Sequence, residues 1–269
     1  MPRDSLVDTA VVTLLDEIID SGADAEQPLP TQQALADQHG VSRLTIREAV
    51  RVLQEHNVLR VEQGRGTYVN PRSQWTSLVS VHRASSRATG SIERSLSLLE
   101  VRRIIEVEAA RLAASRRTPD DLSRLRAAHA RMEEAEAAGD AKSSAAADLD
   151  FHNAIISSCG NPYLTALYSP LTDVIASLRI RTVSWPEVCR HAIDEHRAIL
   201  ATIGASSPDA AAAAMRSHMD QTVNDLLRYL PAEQPLPAER PPPDSAMNLP
   251  LAGDREVLRE AGLRVAPST

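Results

Sequence analysis

The stretch from Leu29 to Asn70, LPTQQALADQHGVSRLTIREAVRVLQEHNVLRVEQGRGTYVN, decides how the N-terminal part of this chain folds. Thr31 is suited to cap a helix from Gln32 to Gln38, because its hydroxyl can accept one of the amide hydrogens left unpaired at a helix start. Gly40 supplies the left-handed residue that stops this helix. Val41 is expected beneath the turn, and Ser42 caps a second helix from about Arg43 to His56. Ile46, Val50 and Leu53 lie at i, i+4 and i+7 of that helix and form its buried stripe. Arg43, Arg47 and Arg51 repeat every four residues and so share a different, outward face. Asn57 can take the left-handed conformation that ends the helix. Val58–Glu62 and Thr67–Val69 then read as two short strands. The tip between them, Gln63-Gly64-Arg65-Gly66, has glycines that allow close approach to a phosphate backbone or minor groove.

Helix, turn, arginine-bearing helix and glycine-tipped hairpin make a winged helix-turn-helix, an architecture that grips double-stranded DNA. Base-reading side chains belong near the N-terminus of the second helix, where it enters the major groove. Arginine suits the task because its planar fork can donate to guanine O6 and N7 together. The bland alternative is a small α+β domain with a solvated arginine face. Local charge favours DNA: residues 39–72 hold six arginines against Glu48, Glu55 and Glu62, within a chain of net charge −7.

The stretch resembles the winged helix of the GntR family of bacterial transcription regulators. The likeness rests on Leu29-Pro30, Leu35-Ala36, Val41-Ser42-Arg43, Arg47-Glu48-Ala49-Val50, Leu53 and Gln63-Gly64-Arg65-Gly66-Thr67-Tyr68-Val69. It implies DNA contact by Ser42, Arg43, Thr45, Arg47 and the Gly64–Gly66 tip; Arg51, Gln63 and Arg65 complete the candidate surface. The family's usual LPSER opening is LPTQQ here, so Gln33 stands where an arginine commonly helps to contact DNA.

A length of 269 residues suggests two domains. With 43% hydrophobic but only 3% aromatic residues, Leu, Ile, Val and Ala must do the packing. Val11 to Asp20 reads as a first helix with an apolar face, and residues 71–77 read as a linker. Beyond Arg72 the pattern is helical, without a convincing strand. The expected fold is therefore mainly α: a winged helix-turn-helix over 1–74 and an all-α bundle of six or seven helices over 75–230. Residues 231–269 read as a proline-rich, disordered tail. No stretch approaches the roughly 20 apolar residues of a membrane span, and no signal-peptide core opens the chain. Cys159 and Cys189 read as free buried thiols, which together indicates a cytoplasmic protein with no membrane partner.

In the helical part, the expected helices run over about 96–117, 118–138, 141–158, 163–183, 186–203 and 208–229. Asp148 and His152, four apart, point the same way. His196 and His218 lie ten residues before and eleven after the Ser206-Ser207 connection, which puts them level in an antiparallel hairpin. One carboxylate and three imidazoles at one height can hold a divalent transition metal. The competing reading is of satisfied core or surface histidines, and His39, His56, His82, His129 and His191 are read in that way.

The blocks LLEVRRIIEVEAARLAA, DLDFHNAIISSCGNPYL, EHRAILATI and AAAAMRSHMDQTVNDLL resemble the effector-binding helical domain of the FadR subgroup. That resemblance implies a metal held by Asp148, His152, His196 and His218, with zinc the first choice and manganese or nickel the alternatives. It also implies that Arg102 meets the carboxylate of a small effector such as a sugar acid or hydroxy acid. The function so implied is a homodimeric regulator, a repressor by the family's habit, that reads an inverted-repeat operator and is not an enzyme. Two rivals remain: a metal-dependent hydrolase fused to a DNA-binding domain, with Asp150 or Glu195 as base, and a regulator whose metal is purely structural.

Overall fold

The computed structural model describes residues 5–22, 28–88, 91–182 and 185–229; the tail expected over 231–269 lies outside them. The chain opens with α1 (Leu6–Ser21), which starts earlier than its apolar pattern suggests because Ser5 and Asp8 form a reciprocal capping box. Its buried face, Leu14, Leu15, Ile18 and Ile19, packs on α3. α2 (Gln32–His39) is capped by Thr31 and stopped by Gly40 at φ 63°. α3 (Arg43–Glu55) is capped by Ser42 and buries Ile46, Ala49, Val50 and Leu53. Asn57 takes the left-handed conformation, φ 55°.

The wing pairs β1 (Leu59–Glu62) antiparallel with β2 (Gly66–Val69), Leu59 opposite Val69 and Glu62 opposite Gly66. Pro28 bridges to Tyr68, and the Leu29 amide donates to the Thr67 carbonyl at 2.7 Å, so the Pro28-Leu29 segment lies along the outer edge of β2. Gly66 sits at φ 131°, where a Cβ would stand 3.3 Å from the Pro28 Cβ. Glycine is needed there for both backbone and space.

Residues 71–77 are not a loose spacer. Arg72–Gln74 form a 3-10 turn, and Trp75 is buried in the N-terminal core with its indole N–H donating to the Asn70 carbonyl at 3.0 Å. α4 (Leu78–Ala88) follows and joins both cores: Ala84 belongs to the N-terminal cluster, while Leu78 packs against the cluster of the bundle. The Arg83 guanidinium also clasps Asp16 of α1 at 2.5 and 2.7 Å.

The bundle comprises α5 (Ser91–Arg116), α6 (Pro119–Ala137), α7 (Ala141–Ser158), α8 (Pro162–Tyr168), α9 (Thr172–Thr182), α10 (Pro186–Gly204) and α11 (Pro208–Tyr229). α5 lies along α11, α6 along α7, and α10 along α11. Ala109, Ala110, Ala113 and Ala114 let α5 approach its neighbours closely around Phe151, Met132, Ile199 and Met215. The single helix expected over 163–183 is divided by a 3-10 turn, Ser169–Leu171. Pro170 is the physical reason, since it lacks an amide hydrogen and its ring collides with the carbonyl four residues earlier. Counted as one interrupted helix with α4 added, the total over 78–229 is seven among the described residues.

The α10–α11 turn passes through Ser206 at φ 52°. Arg117, at the end of α5, donates to the carbonyls of Ile203 and Gly204 at 3.1 and 2.7 Å. These bonds add to the backbone bonds of the turn where α10 stops, and tie α5 to the hairpin that carries His196 and His218.

Candidate nucleic-acid interface and buried histidine centre

On the reading helix the Ser42 hydroxyl accepts the Thr45 amide at 3.0 Å, and the two hydroxyls lie 2.8 Å apart. Thr45, expected on the DNA-facing surface, is instead buried beneath that cap. Its hydroxyl is placed against the Ser42 cap at the helix start. Ser42, Arg43, Arg47 and Arg51 are exposed, as are Gln63, Gly64, Arg65 and Gly66 at the wing tip. Arg47 lies 3.6 Å from Glu48, Arg51 lies 3.4 Å from Glu55, and Arg65 lies 2.8 Å from Glu62. Exposed pairs of this kind contribute only about 0–1 kcal/mol, so phosphates or bases can replace them at little cost. Gln33 is exposed too, its amide donating to Asp37 at 2.9 Å.

Within the bundle, α7, α10 and α11 bring His152, His196 and His218 together, with one nitrogen from each within 4.8 Å of the others. None is more than 1% exposed. His196 Nε2 and His218 Nε2 lie 3.4 Å apart, which is the spacing of two tetrahedral ligands bound at about 2.0–2.1 Å to a common ion. Neighbours orient the rings. His196 stacks on Phe151, centroids 4.4 Å apart, and its Nδ1 lies 3.2 Å from the Met132 sulfur. A thioether can only accept, so the proton belongs on Nδ1 and the Nε2 lone pair faces the centre. His152 Nδ1 lies 2.6 Å from Glu106 Oε2, while its Nε2 has no hydrogen-bond partner.

Burial, reinforced by neighbouring imidazoles, pushes the pKa of His196 and His218 well below the ordinary histidine value. They are neutral at pH 7 and ready to ligate. Three buried imidazoles converge on one point and the Nε2 of His152 has no hydrogen-bond partner, so the three histidines fit a divalent metal. Such an ion would supply Lewis acidity and open coordination positions to this buried centre.

Asp148 lies at the edge of the triad, Oδ1 3.7 Å from His196 Nε2 and Oδ2 4.0 Å from His152 Nε2. Both oxygens are held by Arg179 of α9: Nε reaches Oδ2 at 2.5 Å and a terminal nitrogen bonds Oδ1. Burial would raise the Asp148 pKa, but the charge and hydrogen bond of Arg179, together with the neighbouring His152 and His218, outweigh it and lower the pKa below the ordinary value. Arg102 is 1% exposed and paired with Glu106, Nε to Oε1 at 2.6 Å. Glu106 also accepts from the Tyr168 hydroxyl at 2.9 Å. Burial disfavours both ions of the pair, yet their attraction wins, so Glu106 stays well below and Arg102 well above its ordinary pKa. Glu106 uses two of the five guanidinium N–H donors of Arg102, and Arg102 also forms part of the wall of an adjoining cleft.

Sequence reasoning did not find Glu106, Tyr168 or Arg179. Glu106 had a signal, being four residues from Arg102 on the same helix face. Arg179 had one as well, as the lone charge in the apolar run VIASLRI. Asp150 pairs with Arg131 at the surface, and Glu195 accepts from Ser217 on the outer side. Neither of these candidate bases faces the centre.

Residues 6–69 match the model of bacterial regulatory proteins of the gntR family, and residues 97–221 match the FCD domain. The regulator LutR of Bacillus subtilis is 30% identical over 210 residues, covering 75% of this chain and 92% of that protein. The chain belongs to the GntR family. Its FCD domain places this GntR-family regulator in the FadR subgroup. It is also similar to the galactonate operon transcriptional repressor of Escherichia coli, at 29% identity over 76% of this chain and 89% of that one. The Uxu operon transcriptional regulator of the same organism is 28% identical, covering 80% and 84%. Lar of Listeria monocytogenes shares the fold, with a TM-score of 0.59 at 18% identity over 85% of this chain and 100% of that one. The relatives are transcriptional regulators and not enzymes. No helix among the described residues is long and apolar enough to cross a membrane.

Proposed function

We propose that this regulator is a cytoplasmic homodimeric repressor whose 1–74 domains read an inverted repeat and whose 75–230 domains sense a small carboxylate at a metal-containing centre. The observation that carries the reading is the convergence of three buried imidazoles beside two buried arginines. His152, His196 and His218, joined by Asp148, would hold zinc, or else manganese or nickel. Arg102 would direct remaining donors to the effector carboxylate, a geometry that guanidinium favours. The similarity to a galactonate operon repressor supports a sugar acid as the class of effector.

The path to the DNA is short. Glu106 touches both His152 and Tyr168, and Tyr168 directly precedes the 3-10 turn that packs against α4. α4 is tied to the reader by Arg83–Asp16 and by Ser80 Oγ, 3.3 Å from His56 Nδ1 at the end of α3. A ligand that favours one setting of this path over another changes operator affinity by its differential binding.

Selection from random-sequence DNA followed by gel shifts with galactonate and other sugar or hydroxy acids tests the proposal. An inverted repeat should emerge, and an effective acid should weaken binding of metal-loaded protein by about 5–150-fold. The purely structural metal draws support from the narrowness of the clefts beside the centre, about 10 Å³ each, room for roughly one water against roughly 300 Å³ or more for small-molecule sites. Operator affinity unchanged by every acid would select that reading.

A further inference from the structure

Arg179 is positioned between three features that the proposed function needs. It holds both oxygens of Asp148, it is 5% exposed, and it forms part of the wall of both narrow clefts. Asp148 in this arrangement has no oxygen directed to the histidines alone, since each is engaged by the guanidinium while standing 3.7–4.0 Å from an imidazole nitrogen. We infer that Arg179 is an exchangeable counter-ion, which neutralises Asp148 when the centre lacks metal and must leave it when Asp148 becomes a ligand. The inference rests on the proposed metal centre and adds a residue that sets its affinity.

Asp148 cannot keep a two-pronged ion pair and also turn an oxygen towards a divalent cation at ligand distance. Nor would the guanidinium remain beside a new positive charge in a water-poor interior, where like charges repel strongly. Arg179 and Thr222 line both clefts, and His218 lines one of them, so departure of the guanidinium from Asp148 would open the wall that the clefts share. It would also place a cation on that wall, suited to an anionic ligand. The alternative role for Arg179 is a fixed support that orients Asp148 towards the metal. The two roles predict opposite signs when Arg179 is removed.

The experiment measures cobalt(II) affinity of chelator-treated full-length protein by calorimetry and by the visible cobalt spectrum. Arg179→Met removes the guanidinium that grips both Asp148 oxygens, leaving them open to the metal. Its cobalt Kd should fall roughly tenfold or more below wild type. Arg179→Lys, with one ammonium unable to grip both oxygens, should fall between the two and guards against misfolding of the first variant. In wild-type protein carrying 15N-labelled arginine, the Arg179 Nε–H resonance should move when cobalt is replaced by diamagnetic zinc and one equivalent is added. A cobalt Kd that is unchanged or weaker in both variants overturns the exchange while leaving the metal centre standing. Wild-type protein that binds no cobalt overturns both.

Discussion

The two halves of the molecule use the same side chain in opposite environments. In the reader, Arg43, Arg47, Arg51 and Arg65 stand in solvent, the last three paired with glutamates at the surface. In the bundle, Arg102 and Arg179 are sealed against Glu106 and Asp148. An exposed arginine can be removed without disturbing the fold, because water already screens its charge. A buried one cannot, because its carboxylate is left without water or partner. Function and stability are therefore separable in the reader and coupled in the bundle.

The largest expected effect lies in the bundle. Glu106→Ala leaves Arg102 uncompensated and removes the acceptor for Tyr168, and should destabilise the protein by about 3–5 kcal/mol. Glu106→Gln, which keeps the shape and an acceptor, should cost clearly less. Urea denaturation of metal-free protein measures both. Equal, small losses would mean that the pair is not sealed as described.

Arg47→Ala should show the opposite pattern. Operator affinity should drop by about 1–3 kcal/mol in a gel shift at fixed salt, while urea stability stays within about 0.5 kcal/mol of wild type. A stability loss like that of Glu106→Ala would break the contrast between the halves.

The reader was legible in the sequence because its rules are local. Thr31, Gly40, Ser42 and Asn57 act on their own helix ends, and the hairpin follows from two glycines. The convergence of His152, His196 and His218 could also be read, since counting through a helical hairpin fixes height. What could not be read was pairing across helices. Nothing near Asp148 in the chain announces Arg179, thirty-one positions away and on a different helix. The burial of Trp75 depends likewise on tertiary packing. Pro170 was a legible break that the apolar run around it disguised.

A smaller effect probes the local rules. Ser42→Ala removes the cap and the hydroxyl that holds Thr45, and should cost about 1 kcal/mol in thermal or urea unfolding. Gly66→Ala meets both Pro28 and an unfavourable φ, and should cost more than the roughly 0.4–1 kcal/mol that separates alanine from glycine in unstrained turns. No loss for either would place the order of the wing and reading helix elsewhere.

The most direct test is the metal content of protein purified without chelators. The wild-type chain should carry about one equivalent of a divalent ion, because three buried imidazoles converge on one point and the Nε2 of His152 has no hydrogen-bond partner. A His196→Ala/His218→Ala double variant, folded by circular dichroism, should carry none. A double variant that keeps its equivalent, or a wild-type protein that takes up no metal when zinc is supplied, would contradict the metal-centred account of the bundle.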